Sequence, residues 1–204
     1  MDGTLADSMW IWRQIDMEFL GSRRLTMPPR LQEDIEGMSF SETAHFFRET
    51  FQLAESEEEI KAVWNDMARE KYRTEVPLKP GAKEFLRQLK DQGYLTAICT
   101  SNSRELIDTA VTARQIESLI DYVVTACEVR AGKPSPDIYL HAAQVLGVSP
   151  GECVVFEDIP AGILAGKRAG MTVCAVEDDY SQYCVQEKRQ LADFMIRDFT
   201  ELLA

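Results

Sequence analysis

The chain is expected to fold as an α/β protein, a parallel sheet flanked by helices with an all-helical segment inserted near its start. Three observations predict this. From Ser8 to about Thr74 apolar residues recur at helical spacing, and no run reads as a strand. From Val76 onward short apolar runs alternate with amphipathic stretches, a pattern that requires crossover connections and therefore parallel strands. Pro77, Pro80 and Gly81 punctuate the change from one pattern to the other.

The elements follow in order. Met9, Trp12, Ile15 and Phe19 stand three and four residues apart and share one helix face. Ser39 with Glu42, and Ser56 with Glu59, have the spacing of capping boxes and open two further helices. The acidic run Glu55 to Glu59 then suits the positive end of a helix dipole. A helix over 81–92 ends at Gly93, before a strand over Tyr94–Cys99. Helices over Glu105–Ala113, Asp137–Leu146 and Ala161–Ala169 alternate with strands over Tyr122–Thr125, Cys153–Phe156 and Thr172–Val176. Ala192–Ile196 reads as a last short strand. The division is a Rossmann-like core of residues 1–7 and 76–204, interrupted by a helical cap over 8–75, with helices on both faces of the sheet.

Composition limits function. Among 204 residues, 22 Lys and Arg face 34 Asp and Glu, a formal net charge of −12. Such a chain, with no basic run, is ill suited to nucleic acid. No apolar run approaches the roughly 20 residues of a membrane helix, and the N-terminus lacks the pattern of a secretory signal. Cys99, Cys153 and Cys174 lie in strand-like runs and are expected in the core. The five cysteines, with only His45 and His141, do not have zinc or disulfide-framework spacing, so a reducing cytoplasm is expected.

In an open parallel sheet, ligands bind beyond the carboxyl ends of the strands. Thr100, Ser101, Asn102 and Ser103 follow the first of these strands and lead into a helix. Their hydroxyls and free N–H groups suit either an anion, such as phosphate, or an ordinary N-cap. Lys133, set between Gly132 and Pro134, is held either toward an anion or toward solvent. Glu157 and Asp158 end another strand, where adjacent buried carboxylates call for a cation. Oxygen ligands beside a phosphate site favour Mg²⁺ over a transition metal. Asp2 adds a third acidic group.

Asp2-Gly3-Thr4-Leu5, Thr100, Lys133 and Glu157-Asp158 resemble, in order and spacing, the four motifs of haloacid dehalogenase-like hydrolases. GKPSPDIY and VVFEDIPAGI are especially similar to the phosphatase and beta-phosphoglucomutase branch, and the resemblance covers essentially the whole chain. It implies a Mg²⁺-dependent cytoplasmic phosphatase acting on a small phosphorylated metabolite, as a monomer or weak dimer. Asp2 would be the acid/base and offer its backbone carbonyl to the metal. Thr100 and Lys133 would hold the phosphoryl group, Ser101 and Asn102 would line its site, and Asp158 with Glu157 would serve the metal. Transfer would pass through an aspartyl-phosphate.

The resemblance also marks departures. The family's first motif is Asp-x-Asp, so its nucleophile would lie immediately before Met1, with the mid-sheet strand that carries it. A misassigned start or a shortened chain is the expected explanation. Trp12, Ser39 and Phe40 fall in the cap region that reads the substrate, with Glu36 and Phe40 where mutases place basic groups. Trp12 stands where mutases have a histidine. Hydrolysis is therefore expected, with a phosphomutase or an inactive truncated paralogue as alternatives. Ile159 replaces a commonly small polar residue. The hinge is expected near Leu5–Ser8 and Glu75–Pro80, and Lys133–Pro134 is expected to be cis. A phospho-accepting receiver module fits poorly, because its acidic pair comes at the first strand.

Overall fold

The computed structural model describes residues 1–203. Four helices precede any strand: α1 (Met9–Ser22), α2 (Leu31–Asp34), α3 (Phe40–Phe51) and α4 (Glu57–Thr74). Ser39 and Ser56 both close full capping boxes, each accepting from the N3 backbone while Glu42 and Glu59 reach back. The apolar faces meet around Trp64, whose ring centroid lies 4.9 Å from that of Phe47 and 5.5 Å from those of Phe19 and Phe40.

The remaining chain alternates: α5 (Ala82–Asp91), β1 (Ala97–Thr100), α6 (Arg104–Arg114), β2 (Tyr122–Thr125), α7 (Asp137–Leu146), β3 (Val154–Glu157), α8 (Pro160–Arg168), β4 (Thr172–Val176), α9 (Val185–Leu191) and β5 (Phe194–Ile196). All strand pairs are parallel, as the crossovers require. One core gathers Val124, Ile138, Val155, Ile163 and Val173, and a second stacks Phe85, Phe156 and Phe199.

Three expectations need correction. The single sheet is instead two, ordered β1–β2 and β3–β4–β5. Among the described residues β1 pairs only with β2 and β3 only with β4, so no backbone ladder joins the halves. Helices join them: α7 packs on β1 and β2 and touches α8, which packs on β3 and β4.

Strand starts also shift. Tyr94 is not in a strand, because its N–H turns back to Leu89 O, and β1 begins after Thr96, whose N–H donates to Asp121 Oδ2 at 2.8 Å. Cys153 N–H closes a turn on Pro150 O, while Glu157 at the other end pairs with Ala175 and belongs to β3. Ala192 N–H bonds Lys188 O and finishes α9, which delays β5. Finally, Cys174 is buried but Cys99 and Cys153 are only partly so. Both pack against the core, the thiol of Cys153 at its edge, beside Ser149 O. The Lys133–Pro134 peptide is cis, as expected.

Candidate active site

The first residues fold into a tight loop in which Leu5 and Ala6 N–H both donate to Met1 O, at 2.9 and 3.0 Å. Gly3 takes φ +67°, and a side chain there would run into the Asp158 carboxylate. This close approach lets Thr4 Oγ1 donate to Asp158 Oδ1 at 2.7 Å, bringing the N-terminal loop onto the end of β3.

Asp2 is gripped from three directions. Its Oδ1 accepts from Ser8 Oγ at 2.6 Å and from the Tyr72 hydroxyl, and its Oδ2 from Asn102 Nδ2 at 3.2 Å. Tyr72 belongs to α4 and is fully buried. Its oxygen accepts from Trp12 Nε1 at 3.0 Å and Asn102 Nδ2 at 2.9 Å. Burial, then the Asp2 charge, push the Tyr72 pKa well above the ordinary phenol range, so it stays a donor.

The polar run after β1 divides its labour. Ser103 caps α6, accepting from Leu106 N–H, so the ordinary N-cap belongs to it. Thr100, Ser101 and Asn102 instead line a cavity of about 220 Å³, with Thr100 Oγ1 accepting from Asn102 N–H at 3.1 Å. Lys133, Glu157, Asp158 and Asp2 line the same cavity. The Lys133 ammonium points inward, onto Glu157 Oε1 and, at 3.4 Å, Cys99 O. Burial draws its pKa down, but the Glu157 carboxylate more than offsets this and holds it above the usual lysine value.

The three carboxylates expected at a metal differ in their surroundings. Glu157 Oε1 is taken by Lys133 and the Tyr139 hydroxyl, which makes it an ion-pair partner. Asp2 is held by hydroxyls and an amide. Asp158, 4% exposed, accepts a hydrogen bond from Thr4 and has no ion-pair partner; burial, then the neighbouring Glu157 charge, raise its pKa to about 7 against the pull of the Thr4 hydroxyl and the amino terminus. Among the described residues no group of three or more His, Cys, Asp or Glu side chains is gathered closely enough to hold a metal by itself. A Mg²⁺ ion, which keeps several waters and needs only one or two carboxylates beside a phosphate, still fits Asp158, which no lysine or arginine pairs.

On the cap side, Trp12 and Phe40 line the cavity, their centroids 6.1 Å apart. Ser39 does not line it, because its hydroxyl is spent on the α3 cap. Glu36 does, accepting from Tyr183 OH at 2.6 Å. Gly37 lets this loop touch the core: at φ +80° its missing Cβ would stand 2.8 Å from Ala161 Cβ and from Lys133 O. Ile159 also lines the cavity, together with residues that sequence reasoning missed: Asp16, Gln32, Trp64, Asp178 and Tyr183. Asp16 had a signal, since it stands four residues after Trp12 and three before Phe19, on the apolar face itself. Tyr72 and Tyr139 carried none, because their roles depend on which elements meet.

A parallel α/β core under a helical cap, with a buried lysine, a threonine and acidic groups around one cavity, defines a capped hydrolase core of the kind that holds phosphoryl groups. The family model described as haloacid dehalogenase-like hydrolase matches residues 1–176, and the chain belongs to this family. It is 31% identical over 216 residues to a probable pseudouridine-5'-phosphatase of Drosophila melanogaster, covering 98% of this chain and 90% of that one. It is also 37% identical over 122 residues to validoxylamine A 7'-phosphate phosphatase of Streptomyces hygroscopicus subsp. limoneus, covering 60% of this chain but 55% of that protein. The fold is similar to that of CbbY from Rhodobacter sphaeroides in complex with phosphate, with a TM-score of 0.87 at 23% identity, covering 99% of this chain and 93% of that one.

Proposed function

We propose that the chain is the body of a Mg²⁺-assisted phosphatase for a small phosphorylated metabolite, with a core of residues 1–7 and 76–204 and a cap of 8–75. The observation that carries this is the convergence of Asp2, Thr100, Lys133 and Asp158 on one cavity. In this reading Thr100 and the backbone N–H groups after it bind the phosphoryl oxygens, and Lys133 neutralises their charge. Asp2, held by Ser8, Tyr72 and Asn102, gives a proton to the leaving oxygen and later takes one from water. Asp158 and the Asp2 carbonyl would hold Mg²⁺, which supplies charge stabilisation to the transferring group. Glu157 keeps Lys133 and Tyr139 in place.

The phosphoryl acceptor in this reading is an aspartate directly before Met1, on a strand that would lie between β1 and β3; the separate sheets support that placement. Lys133 is the only Lys, Arg or His among the described residues lining the cavity, which disfavours the second phosphate of a mutase intermediate. The free thiols suit a reducing cytoplasm, and the unit is proposed as a monomer or weak dimer. No helix of the described residues is long and apolar enough to cross a membrane.

The test uses a generic aryl phosphate with and without Mg²⁺, comparing this chain with one extended by the genomic sequence upstream. The extended chain should turn over only with Mg²⁺, Asp158→Asn should abolish that, and this chain should be nearly inert. Robust turnover by this chain would overturn the assigned acceptor.

A further inference from the structure

Tyr72 is tied to the core at both of its ends. Its hydroxyl donates to Asp2 Oδ1 and accepts from Trp12 Nε1–H at 3.0 Å and Asn102 Nδ2–H at 2.9 Å. Its backbone carbonyl accepts from Arg114 Nη2 at 3.2 Å, and the same nitrogen reaches Arg73 O, also at 3.2 Å. Arg114 closes the last turn of α6, a core helix packed along α4.

The sequence leaves these two carbonyls in need of a donor. The last carbonyls of a helix look to the N–H groups of the next turn. Arg73 O would look to residue 77, which is Pro77 and has no N–H. Tyr72 O would look to Val76, whose N–H turns back to Lys71 O at 3.0 Å, where Glu75 N–H also ends at 2.8 Å. Among the described residues neither carbonyl accepts from a backbone N–H. The guanidinium serves both, and sets positive charge at the negative end of the α4 dipole. Its orientation is costly, because Arg114 Nε is buried and has no hydrogen-bond partner among the described residues. The side chain is thus aimed at the end of α4 rather than at its own fullest hydrogen bonding. Lys83 Nζ, from α5, donates to Arg114 O at 2.8 Å and fixes the residue from its other side.

We propose that Arg114 is a positioning residue for the acid: it clamps the Tyr72 backbone to the core and so keeps the Tyr72 hydroxyl on Asp2 Oδ1. Without it the last turn of α4 is free to loosen toward Glu75–Pro80, and the stiff phenol carries that shift to the carboxylate. That Asp2 acts as an acid rests on the phosphatase reading; the clamp is read without turnover.

Two measurements test this. In this chain carrying ¹⁵N-labelled tryptophan, the indole N–H signal of Trp12 reports on the Tyr72 oxygen that accepts it. Arg114→Met, which keeps an apolar stem and deletes the donors, should shift that signal by several linewidths and leave the signal of the buried Trp64 in place. In the upstream-extended enzyme, with an aryl phosphate and Mg²⁺, Arg114→Met should lower kcat about tenfold and keep KM within about threefold. Arg114→Lys, which retains a donor and the charge, should recover most of that loss. In a Tyr72→Phe background Arg114→Met should cost less than about twofold in kcat, because the hydroxyl it positions is already gone. Arg114→Gln, with a donor and no charge, carries the same comparisons if Arg114→Met does not fold. An unmoved Trp12 signal, or equal kcat losses in the two backgrounds, overturns the proposal. A moved signal without turnover by the extended parent sinks the phosphatase reading and leaves the clamp standing; an unmoved signal beside Mg²⁺-dependent turnover does the reverse.

Discussion

Asp16 is the residue whose energetics are most exposed to measurement. Burial raises its pKa from 3.8 to about 7, with the Gln32 amide pulling the other way. The folded carboxyl therefore holds its proton more tightly than the unfolded one. The stabilisation this gives is complete below about pH 4 and lost as pH rises through about 7. Asp16→Asn, neutral throughout, should match the parent near pH 4 and exceed it above pH 8 by a few kcal/mol, up to about 4 from the shift. Urea titrations at both pH values check this, and a difference independent of pH would contradict the burial argument. At Asp2, Tyr72→Phe removes a donor and leaves Trp12 Nε1–H and the Asn102 amide short of an acceptor. The expected cost is about 1–3 kcal/mol of stability. In the upstream-extended enzyme kcat should fall about ten- to a hundredfold with little change in KM, because the acid is misplaced while phosphate binding is spared. That Asp2, Thr100, Lys133 and Asp158 share one cavity was legible because the chemistry limits their types and the family resemblance gives their order and spacing. Tyr72 and Trp64 were not, since aromatic residues at helical spacing read equally well as packing.

Among the elements, helix starts were read best, because a capping box is a local pattern enforced by local hydrogen bonds. Ser39→Ala should cost about 1 kcal/mol, seen as a lower urea midpoint. Since the variant loosens the turn that carries Phe40, it should also weaken binding of an aryl phosphate more than that of inorganic phosphate, which calorimetry separates. Strand starts were read less well because distant side chains set them. Asp121 accepts from Thr96 N–H while paired with Lys90, and Asp193 accepts from Val173 N–H while paired with Lys167. Each aspartate thus holds the entry of a strand from a neighbouring turn, 25 and 20 residues away. Nothing within the apolar runs announces such tethers.

At the scale of the molecule, a net charge of −12 surrounds a cavity with one lysine. A phosphate monoester approaches against this field, so its association rate should rise severalfold between about 10 and 150 mM salt at fixed Mg²⁺, as screening sets in. Stopped-flow binding measures it, and a falling rate would mean that local positive charge outweighs the whole. The parallel α/β pattern and the inserted helices were legible from periodicity alone; the division into two sheets was legible only through the family resemblance, whose mid-sheet strand falls before Met1, since pairing between strands is a long-range choice. The contact of Tyr72 with Asp2 has one more consequence. In the proposed phosphatase the acid belongs to the core and one of the hydroxyls that holds it to the cap, so a movement that lifts α4 would take away one of the three groups on the carboxylate. On that reading proton delivery would be timed by enclosure: a substrate too large for the cap to settle over would meet an acid short of a donor, and selection by size would be enforced at the proton rather than at the door.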